Sequence, residues 1–217
     1  MKMIAHRGAS LERPENTLSA FERALEIGVD AIETDLLSTK DHRLVVRHDD
    51  LIQKDPNRRY IRELTFDELQ AQIPSLESVF ETVRGRSPLI LELKSEGLVN
   101  LLTEFLRRKK WDQPIHVTSF LPEEVKRFAN EFPEIERSIT LSALPSQYQT
   151  LLQECQTKQV SLHRGFLTEE LVRKLKQEGI TIRVYTVNWP KEAERFASWG
   201  VDAVFTDDPA AMQFLRR

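Results

Sequence analysis

The feature that most constrains the fold is a repeat, because short apolar segments alternate with segments of helical spacing eight times along the chain. Most of the apolar segments are rich in Ile, Val and Leu, which is typical of strands buried on both faces. They predict strands at residues 2–6, 31–36, 88–93, 115–119, 138–141, 159–163, 181–187 and 202–206. The amphipathic segments predict helices at 18–27, 98–110, 122–132, 146–157, 168–177, 191–198 and 209–215.

Eight strand–helix units predict a parallel sheet that closes into a (β/α)8 TIM barrel, with helices outside. The length of 217 residues is at the low end for this fold, so we expect residues 1–217 to form a single domain. The alternation of strands and helices is interrupted after the second strand, where residues 39–43 predict a turn and residues 44–47 predict a returning hairpin strand. Residues 53–62 are polar and predict an exposed insertion.

Charge and composition exclude several classes of partner. The 31 basic residues are balanced by 34 acidic ones, for a net charge of -3, so no overall positive field draws the protein to nucleic acid or anionic lipid. The single cysteine, Cys155, cannot form an internal disulfide. The N-terminus turns polar at His6, too early for a signal peptide or a membrane span. We therefore predict a cytoplasmic protein without membrane insertion; the oligomeric state is not predictable.

Charged side chains cluster where four predicted strands end. His6 and Arg7 end the first strand, Glu33 and Asp35 lie on the second, His48 ends the hairpin strand, and Glu92 and Lys94 end the third. Side chains alternate between the two faces of a strand. Glu33 and Asp35 therefore share one face of their strand, and Glu92 and Lys94 share one face of theirs, while the apolar residues between them point to the other face. Since active sites of such barrels form at the C-terminal ends of strands, we expect these residues to converge at one mouth.

The three carboxylates of Glu33, Asp35 and Glu92 predict a divalent metal site. Hard oxygen ligands suit Mg²⁺ or Ca²⁺, with Mn²⁺ also possible. The alternative is a buried ion-pair network, in which Arg7 and Lys94 neutralise the carboxylates. Zinc is disfavoured because no His or Cys cluster accompanies the three acids.

Two histidines at the same mouth, His6 and His48, predict acid–base catalysis. Each alone has an ordinary structural interpretation, but their convergence beside a cation site favours a catalytic pair. His42 belongs to a turn and His116 to the far end of a strand, so both are predicted to be structural. His163, at the C-terminal end of a strand, is a candidate for lining the site.

A series of ordered motifs carries a family resemblance: His6-Arg7-Gly8, residues 14–17, Glu33-Thr34-Asp35, residues 45–49 and Glu92-Leu93-Lys94. It continues through Ser119-Phe120, residues 184–188 and residues 200–209, and so spans nearly the whole chain. The sequence closely resembles the glycerophosphodiester phosphodiesterase family. That resemblance implies a (β/α)8 fold, a divalent metal, and hydrolysis of glycerophosphodiesters to glycerol 3-phosphate and an alcohol.

The resemblance also implies roles for particular residues. His6 and His48 correspond to the acid–base pair, and Glu33, Asp35 and Glu92 to the metal ligands. Substrate-binding roles are predicted for Arg7, Lys94 and Tyr185, the last at a position where the family usually has Trp. Supporting roles are predicted for Glu15 and Asn16, although Glu15 is equally well explained as an acid favoured by a helix N-terminus.

Two alternatives remain. A lysophospholipase D-like enzyme would need apolar access for lipid substrates, and the sequence shows no basic amphipathic helix or exposed apolar loop near the mouth. A noncatalytic phosphate-binding barrel is the other alternative. It is disfavoured because all five predicted catalytic and metal-binding residues are present.

Overall fold

The protein is a closed barrel of eight parallel strands surrounded by helices, as predicted. A computed structural model describes residues 1–52, 58–69, 73–108, 111 and 114–216. Neighbouring strands pair in the order β1-β9-β8-β7-β6-β5-β4-β2, and β1 also pairs with β2, which closes the ring. The strands are β1 Lys2–Ala5, β2 Ala31–Ser38, β4 Leu89–Leu93, β5 Ile115–Ser119, β6 Glu136–Leu141, β7 Gln159–His163, β8 Thr181–Tyr185 and β9 Ala203–Thr206.

One strand lies outside the ring and confirms the predicted hairpin. Strand β3, Leu44–Val46, pairs antiparallel with the second half of β2, with Leu36 opposite Val46. The register of β1 on β2 covers only Ala31 and Ile32, so β3 pairs with a part of β2 that lies beyond β1. Because the hairpin turns the chain back toward the barrel, His48 arrives at the C-terminal end of the sheet.

Helices cover the outside of the barrel. They are α1 Leu18–Ile27, α2 Leu76–Val83, α3 Leu98–Arg108, α4 Pro122–Glu131, α5 Tyr148–Glu154, α6 Glu169–Gln177 and α7 Pro190–Trp199. Short 3₁₀ helices occur at Ile61–Glu63, Asp67–Leu69, Arg164–Phe166 and Gln213–Arg216. The side chains of Thr17, Ser75 and Thr168 accept a hydrogen bond from the first turn of α1, α2 and α6, which fixes where these helices begin.

The structure corrects several predicted boundaries. Helix α2 was not predicted, although Ser75 and the apolar spacing of Leu76, Val79, Phe80 and Val83 indicate it. The predicted helix at 209–215 is wrong, because turns there lead into the 3₁₀ helix Gln213–Arg216. Helix α5 is shorter than predicted, since only Tyr148–Glu154 is helical. Residues 109–110 of the predicted helix 98–110 lie outside the described residues.

The insertion predicted at 53–62 is only partly exposed. Residues 53–57 lie outside the described residues, and Arg58, Arg59, Tyr60 and Arg62 are exposed as predicted. Ile61, however, is fully buried in a small apolar cluster with Leu37, Val45, Leu64, Leu69 and Ile73. This cluster attaches the segment to the hairpin and so supports the strand that delivers His48.

Candidate active site

A cavity of about 430 Å³ opens at the C-terminal ends of the strands, where the site was predicted. Of the predicted site residues, its wall contains His6, Arg7, Glu33, Asp35, His48, Glu92, Lys94 and Tyr185. Glu15 and Asn16 lie behind that wall and contact its members. The wall also contains Phe120, Thr140, Ser161, His163, Arg164, Thr186, Asn188 and Phe205, of which only His163 was singled out as a candidate.

The loop after β1 turns sharply to place Arg7 in the wall. Arg7 and Gly8 both have left-handed backbone conformations, with φ of 58° and 83°. A side chain on Gly8 would lie 2.7 Å from the backbone of Ala20, so the loop packs against α1 only with glycine there. In this conformation the backbone N–H of Arg7 donates to the Glu33 carboxylate at 2.9 Å.

Three buried carboxylates meet at the base of the cavity. One carboxylate oxygen from each of Glu33, Asp35 and Glu92 lies within 4.8 Å of the others. Asp35 pairs in register with Glu92 across β2 and β4, and Glu33 lies two residues earlier on the same face. The parallel register therefore brings the three acids together, as the alternation of side chains predicted.

Two cations compensate part of this negative charge. The Nζ atom of Lys94 lies 2.6 Å from Glu92 and 3.2 Å from Asp35. The Nε atom of Arg7 lies 3.1 Å from Asp35 without the alignment of a hydrogen bond, so this contact acts through charge. Burial acts to raise the pKa of Asp35, but Lys94, Arg7 and a hydrogen bond from Asn16 outweigh it and lower that pKa.

Glu33 is the carboxylate without a cation. Among the described residues it forms no ion pair with a lysine or arginine side chain. Burial, followed by repulsion from Asp35 and Glu92, raises its pKa well above the usual range. A divalent cation would supply the missing positive charge, and three carboxylate oxygens are the donors that Mg²⁺ and Ca²⁺ prefer. The cluster therefore fits a metal ion.

His6 is held by a carboxylate that the sequence did not reveal. Its Nδ1 lies 2.6 Å from Asp207, which follows β9 at the opposite end of the chain. Asn188 and Ser10 also donate to Asp207, at 2.7 Å and 3.1 Å. Burial acts to raise the pKa of Asp207, but the hydrogen bonds from His6, Asn188 and Ser10 outweigh it and lower that pKa to about 2. The ionised Asp207 fixes the proton of His6 on Nδ1 and leaves Nε2 available.

His48 also has a carboxylate partner, which comes from the adjacent residue in the sequence. Its Nδ1 lies 2.8 Å from the carboxylate of Asp49, the next residue in the chain. Asp49 belongs to the motif noted in the sequence, but its contact with His48 could not be deduced from spacing alone. His6 and His48 therefore each have a carboxylate on Nδ1, an arrangement that favours the same tautomer in both.

The remaining wall of the cavity is aromatic and hydroxylic. Tyr185 packs edge-on against Phe120 at 5.8 Å and against His163 at 5.6 Å between ring centres. Thr140 and Ser161 lie on the strands below this group and are buried. The acidic and the aromatic walls belong to one cavity.

The other two histidines lie outside the cavity wall, as predicted. His116 is buried at the opposite end of the barrel, with its Nε2 2.9 Å from Ser138 and 2.7 Å from Arg183. Burial lowers the pKa of His116 to about 4. His42 is exposed in the turn of the hairpin. Neither His116 nor His42 lines the cavity, so both fit the predicted structural role.

Comparison with known proteins decides the family. Residues 6–211 match the glycerophosphoryl diester phosphodiesterase family over nearly the whole chain. The chain belongs to this family. It is 31% identical to a glycerophosphodiester phosphodiesterase of Bacillus altitudinis, over 96% of this chain and 95% of that protein. As a member of the family, the chain is an enzyme, a glycerophosphodiester phosphodiesterase.

Structural comparison agrees with the sequence match. A phosphodiesterase of Oleispira antarctica, solved in complex with the product sn-glycerol-3-phosphate, superposes with a TM-score of 0.92 and 28% identity. The match covers 99% of this chain and 96% of that one. A human lysophospholipase D is 37% identical, but over only 42% of this chain and 32% of the human protein. The full-length matches support the phosphodiesterase family, and the partial one concerns a relative with a lipid substrate.

The mouth of this phosphodiesterase differs from the sequence prediction in one respect. No exposed apolar loop was predicted there, yet Leu11, Phe120, Phe166 and Trp189 are exposed in loops that follow strands. The prediction failed because Leu11 and Trp189 are single apolar residues and Phe120 and Phe166 each begin a run of only two, so no longer apolar run marks these loops. Within the described part of the chain, no helix combines the length and apolarity needed to cross a bilayer.

Proposed function

We propose that this enzyme hydrolyses glycerophosphodiesters in a metal-dependent reaction in which His6 and His48 act as an acid–base pair. The observation that carries the proposal is the arrangement of the cavity. Two histidines, each with a carboxylate on Nδ1, share one wall with the buried cluster of Glu33, Asp35 and Glu92. A nonenzymatic barrel has no need for two oriented imidazoles beside three carboxylates.

The metal would be held by Glu33, Asp35 and Glu92. When bound, a divalent cation offsets the negative charge of the phosphodiester and lowers the pKa of a hydroxyl group near it. A closed ion-pair network is the alternative explanation of this cluster. It accounts for Asp35 and Glu92, which contact Lys94, but among the described residues no lysine or arginine side chain forms an ion pair with Glu33. The fit of the three acids to a cation therefore supports metal binding.

Arg7 and Lys94 would bind the phosphate group. Both line the cavity and both already lie against the carboxylate cluster, so their charge is directed to its base. Glu15 accepts a hydrogen bond from Nη1 of Arg7 at 2.9 Å and keeps the guanidinium oriented. The planar guanidinium offers paired donors to two phosphate oxygens, whereas the ammonium of Lys94 acts as a point charge.

The two histidines would then divide the proton transfers. One imidazole removes the proton from the attacking glycerol hydroxyl through its Nε2. The other, protonated on Nε2, gives that proton to the departing alkoxide as the phosphorus–oxygen bond breaks. The resulting cyclic glycerol phosphate is opened by water with the two roles reversed, which yields glycerol 3-phosphate. The protein ends with the protonation states it began with.

The cavity is compatible with small alcohol groups on the diester. The rings of Tyr185, Phe120 and His163 would offer the alcohol half contact surfaces that do not distinguish sharply between small alcohol groups. We therefore expect glycerophosphocholine and glycerophosphoethanolamine to be hydrolysed with weak discrimination between them. Measured kcat/KM values for both substrates test this, and a strong preference for long-chain lysophospholipids over both would contradict it. The predicted cytoplasmic location and a single domain remain predictions.

Metal dependence is tested by hydrolysis of glycerophosphocholine after EDTA treatment, followed by addition of Mg²⁺, Mn²⁺ or Ca²⁺. We expect activity to be lost in chelator and restored by at least one of the three ions. Glu33→Gln should stay inactive with every ion and show no metal-induced rise in Tm. The control is Glu170→Gln, which changes an exposed carboxylate in the first turn of α6 and should behave as wild type. Full activity in EDTA would refute the metal.

A further inference from the structure

Half of the barrel interior is lined by polar side chains. On β5, β6 and β7 the apolar residues pack against the helices, so the residues between them point into the barrel. These inward residues are Thr118, Ser138, Thr140, Ser161 and His163. The inward positions of β1, β2, β4 and β9 instead contribute a small apolar cluster. Since branched apolar side chains usually fill the interior of such barrels, this row of hydroxyl groups departs from the usual packing.

Ser161 is the hydroxyl of this row without a partner. The residue is 1% exposed and lies in the cavity wall, and among the described residues its Oγ forms no hydrogen bond. Thr140, its neighbour in register on β6, is satisfied because its hydroxyl lies 2.8 Å from that of Thr118. A buried hydroxyl without a partner is destabilising, and native proteins keep few of them. A ligand in the cavity would supply the missing hydrogen bond.

His163 lies two residues after Ser161 on the same face of β7, and its tautomer is fixed by the backbone. Its Nδ1 accepts a hydrogen bond from the N–H of Gly165 at 3.2 Å, so the proton of the imidazole is on Nε2. A side chain at Gly165 would lie only 3.2 Å from Nδ1, so the glycine permits this close approach. The Nε2–H group forms no hydrogen bond with another described residue, and it is therefore a donor available to the cavity.

Ser161 and His163 lie across the mouth from the carboxylate cluster. In the ring of eight strands, β7 is four strands from β2 in either direction, so it stands opposite Glu33 and Asp35. The proposed reaction places the attacking glycerol hydroxyl at the carboxylates. In phosphoryl transfer the attacking and leaving oxygens lie roughly in line, on opposite sides of phosphorus. The leaving alcohol is therefore directed away from β2 and toward β7.

The charges on this side of the cavity do not favour a cationic alcohol. The ammonium of Lys94 already lies over the ring of Phe120, 5.8 Å from its centre, so that face has a cation. Arg164 lines the same side and pairs with Glu192 at 3.0 Å. The three carboxylates of the described cavity wall belong to the opposite side, where Lys94 and Arg7 partly neutralise them. The side that faces the alcohol thus offers hydrogen bonds rather than negative charge.

We propose that Ser161 and His163 form a polyol subsite, which selects glycerophosphodiesters whose alcohol carries several hydroxyl groups, such as glycerophosphoglycerol. One hydroxyl of the alcohol accepts from Nε2 of His163, and another bonds to Oγ of Ser161. Residues two apart on a strand are about 6.6 Å apart, a span suited to hydroxyls on different carbons. Esterified choline has no hydroxyl and the ammonium of ethanolamine only donates, so neither group accepts from Nε2. This specificity rests on the proposed function and refines it.

The test compares kcat/KM for glycerophosphoglycerol, glycerophosphocholine and glycerophosphoethanolamine, with the metal ion that restores activity. Wild type should favour the glycerol diester about tenfold over the other two, because two hydrogen bonds distinguish it. His163→Phe keeps an aromatic ring and removes the donor, whereas Ser161→Ala removes only the hydroxyl. Each should lower the ratio of kcat/KM for the glycerol diester to that for the choline diester about threefold. The double variant should abolish the preference.

The matched control is Ser146→Ala, which changes an exposed serine of the loop after β6, outside the cavity wall, and should keep the wild-type ratio. Similar kcat/KM values of wild type for all three diesters would overturn the polyol subsite. So would a ratio that stays at the wild-type value in the double variant. Equal losses on all three diesters would also overturn it, because Ser161 and His163 would then act on the shared glycerol half or on folding. Hydrolysis of none of the three would instead refute the proposed function, and the specificity with it.

Discussion

His6 and His48 have the same kind of partner, a carboxylate on Nδ1, but very different support from the surrounding residues. His6 and Asp207 are 201 positions apart, and their side chains are 18% and 30% exposed. His48 and Asp49 are adjacent in sequence, and their side chains are 35% and 62% exposed. One pair is built into the closure of the barrel, whereas the other lies at the end of a short hairpin strand.

The difference extends to the groups around each carboxylate. Asp207 accepts hydrogen bonds from Asn188 and Ser10 in addition to its contact with His6. The Asp49 carboxylate contacts only His48 among the described residues. The comparison indicates that the imidazole of His6 is held by more contacts than the imidazole of His48. We therefore expect the orientation of His6 to be the more firmly fixed of the two.

The largest expected effect is the loss of either imidazole. His6→Ala and His48→Ala should each lower kcat by about 10²- to 10⁴-fold, because each removes one proton transfer. The double variant should be scarcely slower than the worse single one, since the pair acts as a unit. The control is His42→Asn, which changes an exposed turn residue and keeps a residue type tolerated at its left-handed φ of 62°.

The leaving group tells the two histidines apart. With a p-nitrophenyl diester the departing phenolate needs little protonation, so the variant of the general acid should lose far less activity than with glycerophosphocholine. The variant of the base should lose the same factor with both substrates. Equal losses for both variants on both substrates would mean that neither is a dedicated acid. Wild type should also show a bell-shaped dependence of rate on pH.

Removal of the carboxylate partner should lower kcat more for the His6–Asp207 pair than for the His48–Asp49 pair. Asp207→Asn should lower kcat about 10- to 100-fold, because an amide no longer fixes the tautomer of His6 or stabilises its protonated form. Asp49→Asn should lower kcat by only about threefold, since an exposed contact of this kind contributes little. The measurement is kcat at saturating glycerophosphocholine. Equal losses of kcat in Asp207→Asn and Asp49→Asn would contradict the view that His6 is held more firmly than His48.

Low pH should reduce the contribution of the His6–Asp207 pair to the stability of the fold. The pKa of Asp207 in the folded protein is lowered to about 2, against 3.8 for an ordinary aspartate. A lowered carboxyl pKa stabilises the fold above the unfolded value, and this stabilisation is lost as pH falls from about 4 to about 2. The loss should amount to about 1–2 kcal/mol and should be absent from Asp207→Asn. Denaturant titrations at several pH values measure it.

The smallest expected effect concerns the hydroxyl of Ser10, behind His6. Ser10→Ala removes this hydroxyl, which lies 2.9 Å from the carbonyl of His6 and 3.1 Å from Asp207, while His6 and Asn188 continue to hold the carboxylate. The free energy of unfolding should fall by about 0.5–1.5 kcal/mol, and kcat should stay within about threefold of wild type. Ser19→Ala, an exposed hydroxyl on α1, is the comparison variant. A loss of kcat as large as that of Asp207→Asn would show that Ser10 is needed to orient the pair.

The sequence allowed the fold to be predicted because parallel strands buried on both faces leave a clear apolar pattern, as in β4 and β7. Alternation within β2 likewise placed Glu33 and Asp35 on one face. Local spacing carries no information about Asp207, because its contact with His6 depends on closing the ring of strands. Helix α2 is indicated by its cap and spacing but was not predicted, because it is only 8 residues long and follows a polar segment.

The pairing of β1 with β9 also affects how the chain folds while it is being synthesised. Strand β1 is made first, but its partner Ala203–Thr206 and the neighbouring Asp207 are made last. A growing chain still on the ribosome has an unpaired edge on β1, which exposes it to wrong strand pairing until β9 emerges. It also lacks Asp207, so in a ribosome-bound fragment that ends before β9 the Nδ1 atom of His6 has no contact with this carboxylate. The orientation of His6 is therefore fixed only after β9 has been made.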